Sequence, residues 1–124
     1  MSEATRILEQ YRELNERRSL NEMATVLDKS YGLGIEIRVY SEDHKPAHMH
    51  IYNVDKRSLI ARVLISLNKP KNIDSIKPYE NEEISNTNKR VILKALLCTE
   101  RDTELPIWKA VKFSWNMLHP NEKI

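Results

Sequence analysis

The spacing of apolar residues changes period twice along the chain. Between Thr5 and Arg17, Ile7, Leu8, Tyr11 and Leu14 recur at helical spacing, with glutamates and arginines around the remaining circumference. This predicts an amphipathic helix. Ser19 followed three residues later by Glu22 is a capping-box pattern ahead of Met23, Val26 and Leu27, so a second helix is predicted from about Leu20. The "YGLG" segment should end it, because Gly32 or Gly34 can take the left-handed conformation of a helix C-terminus. Residues 1–31 thus read as an N-terminal helical addition.

From Gly34 the period becomes two. Ile35, Ile37 and Val39 alternate with Glu36, Arg38 and Tyr40, and in "HMHIYN" Met49 and Ile51 alternate with His48, His50 and Tyr52. "NVDK" reads as a turn and "RSLIARVLISL" as a third strand, apolar on both faces apart from Arg62. A three-stranded, or slightly larger, antiparallel meander follows. "NKPKNIDSIKPYENEE" is a long connection with two prolines and room for one short extended piece. "NKRVILKALLCTE" is helical and apolar nearly all round, which suits a helix covered on two sides. Pro106 disfavours helical geometry at Leu105 but is tolerated in a first turn, so the helix should break near Arg101 and restart by Pro106. Ile107, Trp108, Val111, Trp115 and Leu118 then share one face, and the two tryptophans read as core. The expected class is α+β: residues 1–124 as one domain, with helices on the buried face of the sheet.

Composition narrows the class without naming an activity. With 40% apolar and 31% charged residues the balance is that of a soluble globular domain. The net charge of +2 lacks the one-signed excess of a DNA-coating or membrane-surface protein. Residues 31–72 nevertheless carry seven Lys/Arg against four Asp/Glu, whereas the segments on either side are balanced or slightly acidic. Cys98 is the sole cysteine, so an internal disulfide and a Cys-rich zinc motif are excluded and a reducing, cytoplasmic location is expected. No leader pattern and no membrane-length apolar run is present, which reads as a full-length intracellular protein with no membrane partner.

The candidate chemistry lies in "SEDHKPAHMH", residues 41–50, which hold three of the four histidines. If Met49 and Ile51 face the core, His48 and His50 face the other way. Residues two apart on a strand have Cα atoms roughly 6–7 Å apart, a spacing at which two imidazoles can converge on one ion. His44 from the loop would add a third nitrogen, and Asp43 a fourth ligand or a carboxylate that orients a ring. Imidazole and carboxylate donors suit a divalent transition metal, zinc foremost. The structural alternative is a solvated polar strand face.

A second functional reading needs no metal. Arg38 and Tyr40 share the non-core face with His48, His50 and Tyr52, and Arg62 comes from the third strand. Imidazoles can move protons while arginines hold a phosphate, the equipment of a small endoribonuclease. Ordinary cross-strand pairing accounts for the same residues. His119 in "LHPN" is expected to cap or fray. The sequence has no Gly-rich phosphate loop, nucleophile elbow, His-Glu-x-x-His or Cys-x-x-Cys, so those chemistries lack support and catalytic residues stay unassigned.

"IEIRVYSEDHKPAHMHIY" resembles the signature of a family of small bacterial proteins of unknown function, an apolar strand, then Asp-His-x-Pro-Pro-His-Phe-His, then a second strand. Asp43, His44, Pro46, His48 and His50 match, while Ala47 and Met49 replace the second proline and the phenylalanine. "ELPIW" is similar to the family's Glu-Leu-x-x-Trp through Glu104, Leu105 and Trp108, with Pro106 as a departure. The resemblance runs from about Gly34 to Trp115, within a core of residues 34–118. It implies a bacterial, cytoplasmic protein, a small partner encoded by a neighbouring gene and a toxin–antitoxin-like context, in which RNA is a candidate target. It carries over no catalytic residues. A third class, a protein-interaction module using the N-terminal helices, stays open, as does the oligomeric state.

Overall fold

The computed structural model describes residues 23–124. The helix predicted over Thr5–Arg17 lies outside them. Four strands, β1 (Met23–Leu27), β2 (Ile35–Tyr40), β3 (His48–Asn53) and β4 (Ser58–Leu64), form one antiparallel meander in chain order. Two helices follow, α1 (Asn86–Leu97) and α2 (Ile107–Leu118). The α+β class is as expected, with one strand more than the three read from alternation.

The extra strand corrects the second predicted helix. Met23–Leu27 pairs with β2 (Met23 opposite Tyr40, Ala24 opposite Val39, Thr25 opposite Arg38) instead of coiling. Five residues are too few to separate the two periods: Met23, Val26 and Leu27 step helically, but Ala24 and Val26 also alternate. A bulge between Thr25 and Leu27 lets Val26 and Leu27 both turn inward, where both are buried. The open edge of β2 and the β-branched Thr25 and Val26 favour the extended form. After β1, Asp28 accepts a hydrogen bond from Ser30 N at 2.9 Å and starts a single 3-10 turn over Lys29–Tyr31. Gly32 (φ 72°) and Gly34 (φ 76°) are both left-handed, so the punctuation read from "YGLG" closes a turn and leads into β2.

The alternation in β2 and β3 is realised in the core. Ile35, Ile37, Val39, Met49, Ile51, Ala61 and Val63 line the inner face of the sheet, and Ile92, Ala95 and Leu96 of α1 with Ile107, Ala110, Val111 and Trp115 of α2 complete one apolar cluster. Burying each large aliphatic side chain contributes about 1.5–3 kcal/mol, which is what holds the helices on this face. Arg38, His50 and Arg62 occupy successive strands in direct register on the opposite, outer face.

The long connection supplies a cover for that outer face. Leu64 N donates to Lys77 O at 2.9 Å and Val63 bridges to Pro78, so Lys77–Pro78 runs beside β4 as the short extended piece expected there. Tyr79 follows directly and lies over His48, with ring centroids 3.9 Å apart.

Between the helices the chain turns on a buried carboxylate. Helix α1 is capped by Ser85, whose hydroxyl accepts from Asn88 N at 3.1 Å, and it ends at Leu97, earlier than Arg101. Glu100 is fully buried, and its Oε2 accepts from Asp102 N (3.0 Å), Thr103 N (2.7 Å) and Thr103 Oγ1 (2.7 Å). This fixes the turn that lets Pro106 open α2. Glu100→Ala leaves the buried Thr103 N–H and hydroxyl without their acceptor, so a loss of about 3 kcal/mol in urea unfolding is expected, against the roughly 0.5 kcal/mol typical of a surface change such as Lys94→Ala.

Candidate metal centre

The loop between β2 and β3 carries Asp43 over the start of β3, and three donor groups meet there. His48 Nε2 lies 3.3 Å and His50 Nδ1 3.5 Å from Asp43 Oδ2, and the ligating atoms of all three residues fall within 4.8 Å of one another. Alternation along β3 puts both rings on the outer face, as the sequence requires. His48 is nonetheless only 2% exposed, because Tyr79 stacks on it and Trp115 lies 6.1 Å away. A histidine on the outer face is therefore buried by a segment with no periodic signal.

The hydrogen bonds set the chemistry of each ring. His48 Nδ1 donates to the carbonyl of Pro46 at 2.9 Å, and a carbonyl can only accept. Nδ1 therefore carries the proton, and Nε2 is the atom turned toward Asp43, the arrangement in which a histidine is oriented as a ligand. Asp43 Oδ2 and His50 Nδ1 are both buried and both lack a hydrogen-bond partner. Burial lowers the pKa of His50 from its ordinary value. The Asp43 charge opposes this, while His48 and Arg62 add to it. A ring that resists protonation keeps its lone pair for a ligand. Tyr40 sets its ring edge against His50 at 4.8 Å and shares a 2.7 Å hydroxyl contact with Tyr52. Burial and that contact push Tyr52 up to about 12, so it stays protonated.

Of the four residues expected to ligate, Asp43, His48 and His50 come together and His44 does not. The His44 side chain is 87% exposed and its Nδ1 faces Glu122 Oε1 at 3.8 Å. One step along a turn reverses the side-chain direction, so Asp43 points in and His44 out. The residues expected to contact phosphate, Arg38, Arg62, Tyr40 and Tyr52, all lie on the outer face, but each has an internal partner. Arg38 Nη2 donates to Glu36 Oε2 at 2.7 Å and its guanidinium sits 4.8 Å from the Tyr52 ring. Arg62 is ion-paired with Glu82 and lies over the ring of Tyr79 at 4.8 Å.

His119 does more than cap. It is 7% exposed, stacks on Trp115 with centroids 3.7 Å apart, and its Nε2 lies 2.9 Å from the carbonyl of Asp43. The segment after α2 thus holds the loop that carries the carboxylate, and Lys45 N reinforces it with a 3.3 Å bond to Glu122 Oε2. The signal was present: Trp115 and His119 are four apart at a helix end and share a face. Tyr79 gave no such signal.

No family model, curated protein or solved structure matches this chain. Among the described residues no helix is long and apolar enough to cross a membrane.

Proposed function

We propose that Asp43, His48 and His50 form a binding site for a divalent transition metal, with zinc the best-suited ion, and that the domain acts through this site. One observation carries the reading: Asp43 Oδ2 and His50 Nδ1 are buried without partners and converge with His48 Nε2. Leaving buried polar atoms unpaired costs about 1–3 kcal/mol each, a cost that an ion at their meeting point removes. The spacing supports it. Zinc–ligand distances of about 2.0–2.1 Å place the donors of a tetrahedral ion roughly 3.3–3.4 Å apart. The carboxylate-to-imidazole separations of 3.3 and 3.5 Å are close to that.

Three protein donors are one fewer than a tetrahedral ion takes, which is the composition of sites that keep a position for an exchangeable ligand. A bound ion would supply Lewis acidity there. The protein's own part is to orient His48 through Pro46, to keep His50 neutral by burial, and to shield both rings with Tyr79 and Tyr40. The metal-free nuclease reading draws less support. His48 lies under Tyr79 and is shut off from solvent, and Arg62 is engaged by Glu82. The motif Asp-His-x-Pro-x-His-x-His would then mark a metal-binding hairpin, and the same motif alone carries the proposal of a small partner protein encoded nearby.

Competitive zinc titration across pH tests the reading. Above the ordinary histidine pKa of about 6.5 competition from protons is weak and affinity should be nearly flat. Because burial lowers the pKa of His50, its ring stays neutral to lower pH than an exposed histidine, and its contribution to affinity should be lost only as pH falls well below about 6.5. The metal-free fold follows the same sign. The unfolded chain takes up the proton first, so stability is full above about 6.5 and declines as pH falls through the lowered folded value. An affinity equal at about pH 8 and pH 5 contradicts imidazole ligation.

A further inference from the structure

Beside the histidine group, β2, β3 and two flanking turns enclose a second feature that the metal reading leaves unused. A cleft of about 480 Å³ is lined by Lys29, Glu36, Arg38, Tyr52, Asn53 and Arg57, with Val54 at its wall. Its size falls in the roughly 300–1,000 Å³ range of small-ligand sites. Three of its lining groups are cations and one is an anion. Arg38 already neutralises Glu36 through the 2.7 Å contact. Lys29 and Arg57 have no carboxylate within ion-pair distance among the described residues. Arg38 Nε is buried and makes no geometric hydrogen bond, and the guanidinium interacts with the Tyr40 hydroxyl beside it.

We infer that this cleft binds the phosphate of a small phosphorylated ligand, a phosphate monoester, with Lys29 and Arg57 supplying the charge and Arg38 a fixed donor. The geometry holds the three cations on different elements: Lys29 in the turn after β1, Arg38 on β2 and Arg57 in the β3–β4 turn, where its φ of 51° sets the turn. Like charges brought to one concavity repel each other, and an anion relieves that repulsion. A dianionic phosphate supplies enough oxygens for all three donors. A polymer is the poorer occupant. The chain carries 20 basic against 18 acidic side chains, a near-balance unlike the basic stripe that tracks a nucleic-acid backbone. Arg38 is the cross-strand partner of His50, so the cleft adjoins the histidine group, yet its binding needs no metal.

The test uses the full chain, without metal and with zinc, titrated with 5′-AMP, adenosine, inorganic phosphate and a short single-stranded RNA, followed by calorimetry and amide chemical shifts. Inorganic phosphate and 5′-AMP should bind in both states, adenosine should not, and shifts should concentrate at Arg38, Tyr52 and Asn53. A Lys29→Gln, Arg57→Gln double variant changes only exposed side chains, and it should lose at least about tenfold in 5′-AMP affinity while unfolding at an unchanged urea midpoint. Absence of phosphate and 5′-AMP binding overturns the proposal. So do equal affinities in parent and variant, equal binding of adenosine, or binding of RNA alone, which would assign the cleft to a polymer. Failure of zinc binding leaves this test unaffected, so the two readings fail separately.

Discussion

Asp43→Asn should abolish high-affinity zinc binding while leaving the metal-free fold intact. The substitution keeps the side chain's shape, removes its charge and exchanges one oxygen for an NH2 group. Asp43 Oδ2 lies 3.3 Å from His48 Nε2 and 3.5 Å from His50 Nδ1 without a hydrogen bond to either. The expected loss of affinity exceeds the roughly 10–100-fold that removing an outer hydrogen-bond partner of a ligand costs, because a ligand itself is removed. Urea unfolding of the metal-free variant should stay within about 1 kcal/mol of the parent, since Oδ2 makes no hydrogen bond and its contacts with the two rings are ion pairs only where a ring is protonated. Combining His48→Ala with His50→Ala should abolish binding too, but at a further cost in stability from the space left under Tyr79. The asparagine variant is therefore the cleaner probe. A large drop in metal-free stability with unchanged zinc affinity would make the carboxylate a structural group.

The second large effect is expected at Trp115. Its side chain is fully buried, its indole Nε1 donates to Glu122 O at 2.9 Å, and its ring stacks on His119. Trp115→Ala should cost about 4 kcal/mol in urea unfolding, a large part of the 5–15 kcal/mol typical of a whole domain. The loss should not stop at the core. Trp115 holds His119, and His119 Nε2 meets the carbonyl of Asp43, so zinc affinity should fall in the same variant even where it remains folded. Trp115→Phe keeps a stacking ring and loses the indole donor, and it should recover most of both quantities. If affinity is unchanged in Trp115→Ala, the clasp between the segment after α2 and the Asp43 loop does not position the carboxylate.

How much of this was legible depends on the length of each pattern. β2 and β3 alternate cleanly enough that the outward direction of His48 and His50 followed from Met49 and Ile51 alone. β1 did not, because five residues satisfy both periods and the edge of β2 decides between them. The pair of imidazoles was therefore readable, and Asp43 and His44 were both readable as further donors, but which of the two joins the pair was not. Asp43 and His44 are neighbours in a turn, and only the path of the backbone shows which one points at the pair. Burial was the least legible property. His48 alternates outward but is covered by Tyr79, which arrives through a long connection that the bridge from Pro78 to Val63 and the bond from Leu64 N to Lys77 O lay beside β4. The same holds for the cleft, since Lys29, Arg38 and Arg57 are scattered in sequence and meet only when the meander folds.

The most direct measurement is X-ray absorption at the zinc edge on the full chain, loaded with zinc and dialysed, with no histidine tag present. The account predicts near-stoichiometric metal whose first shell contains two imidazoles and at least one carboxylate oxygen at about 2.0–2.2 Å. Failure to retain zinc, or a shell with three imidazoles that requires His44, would contradict it.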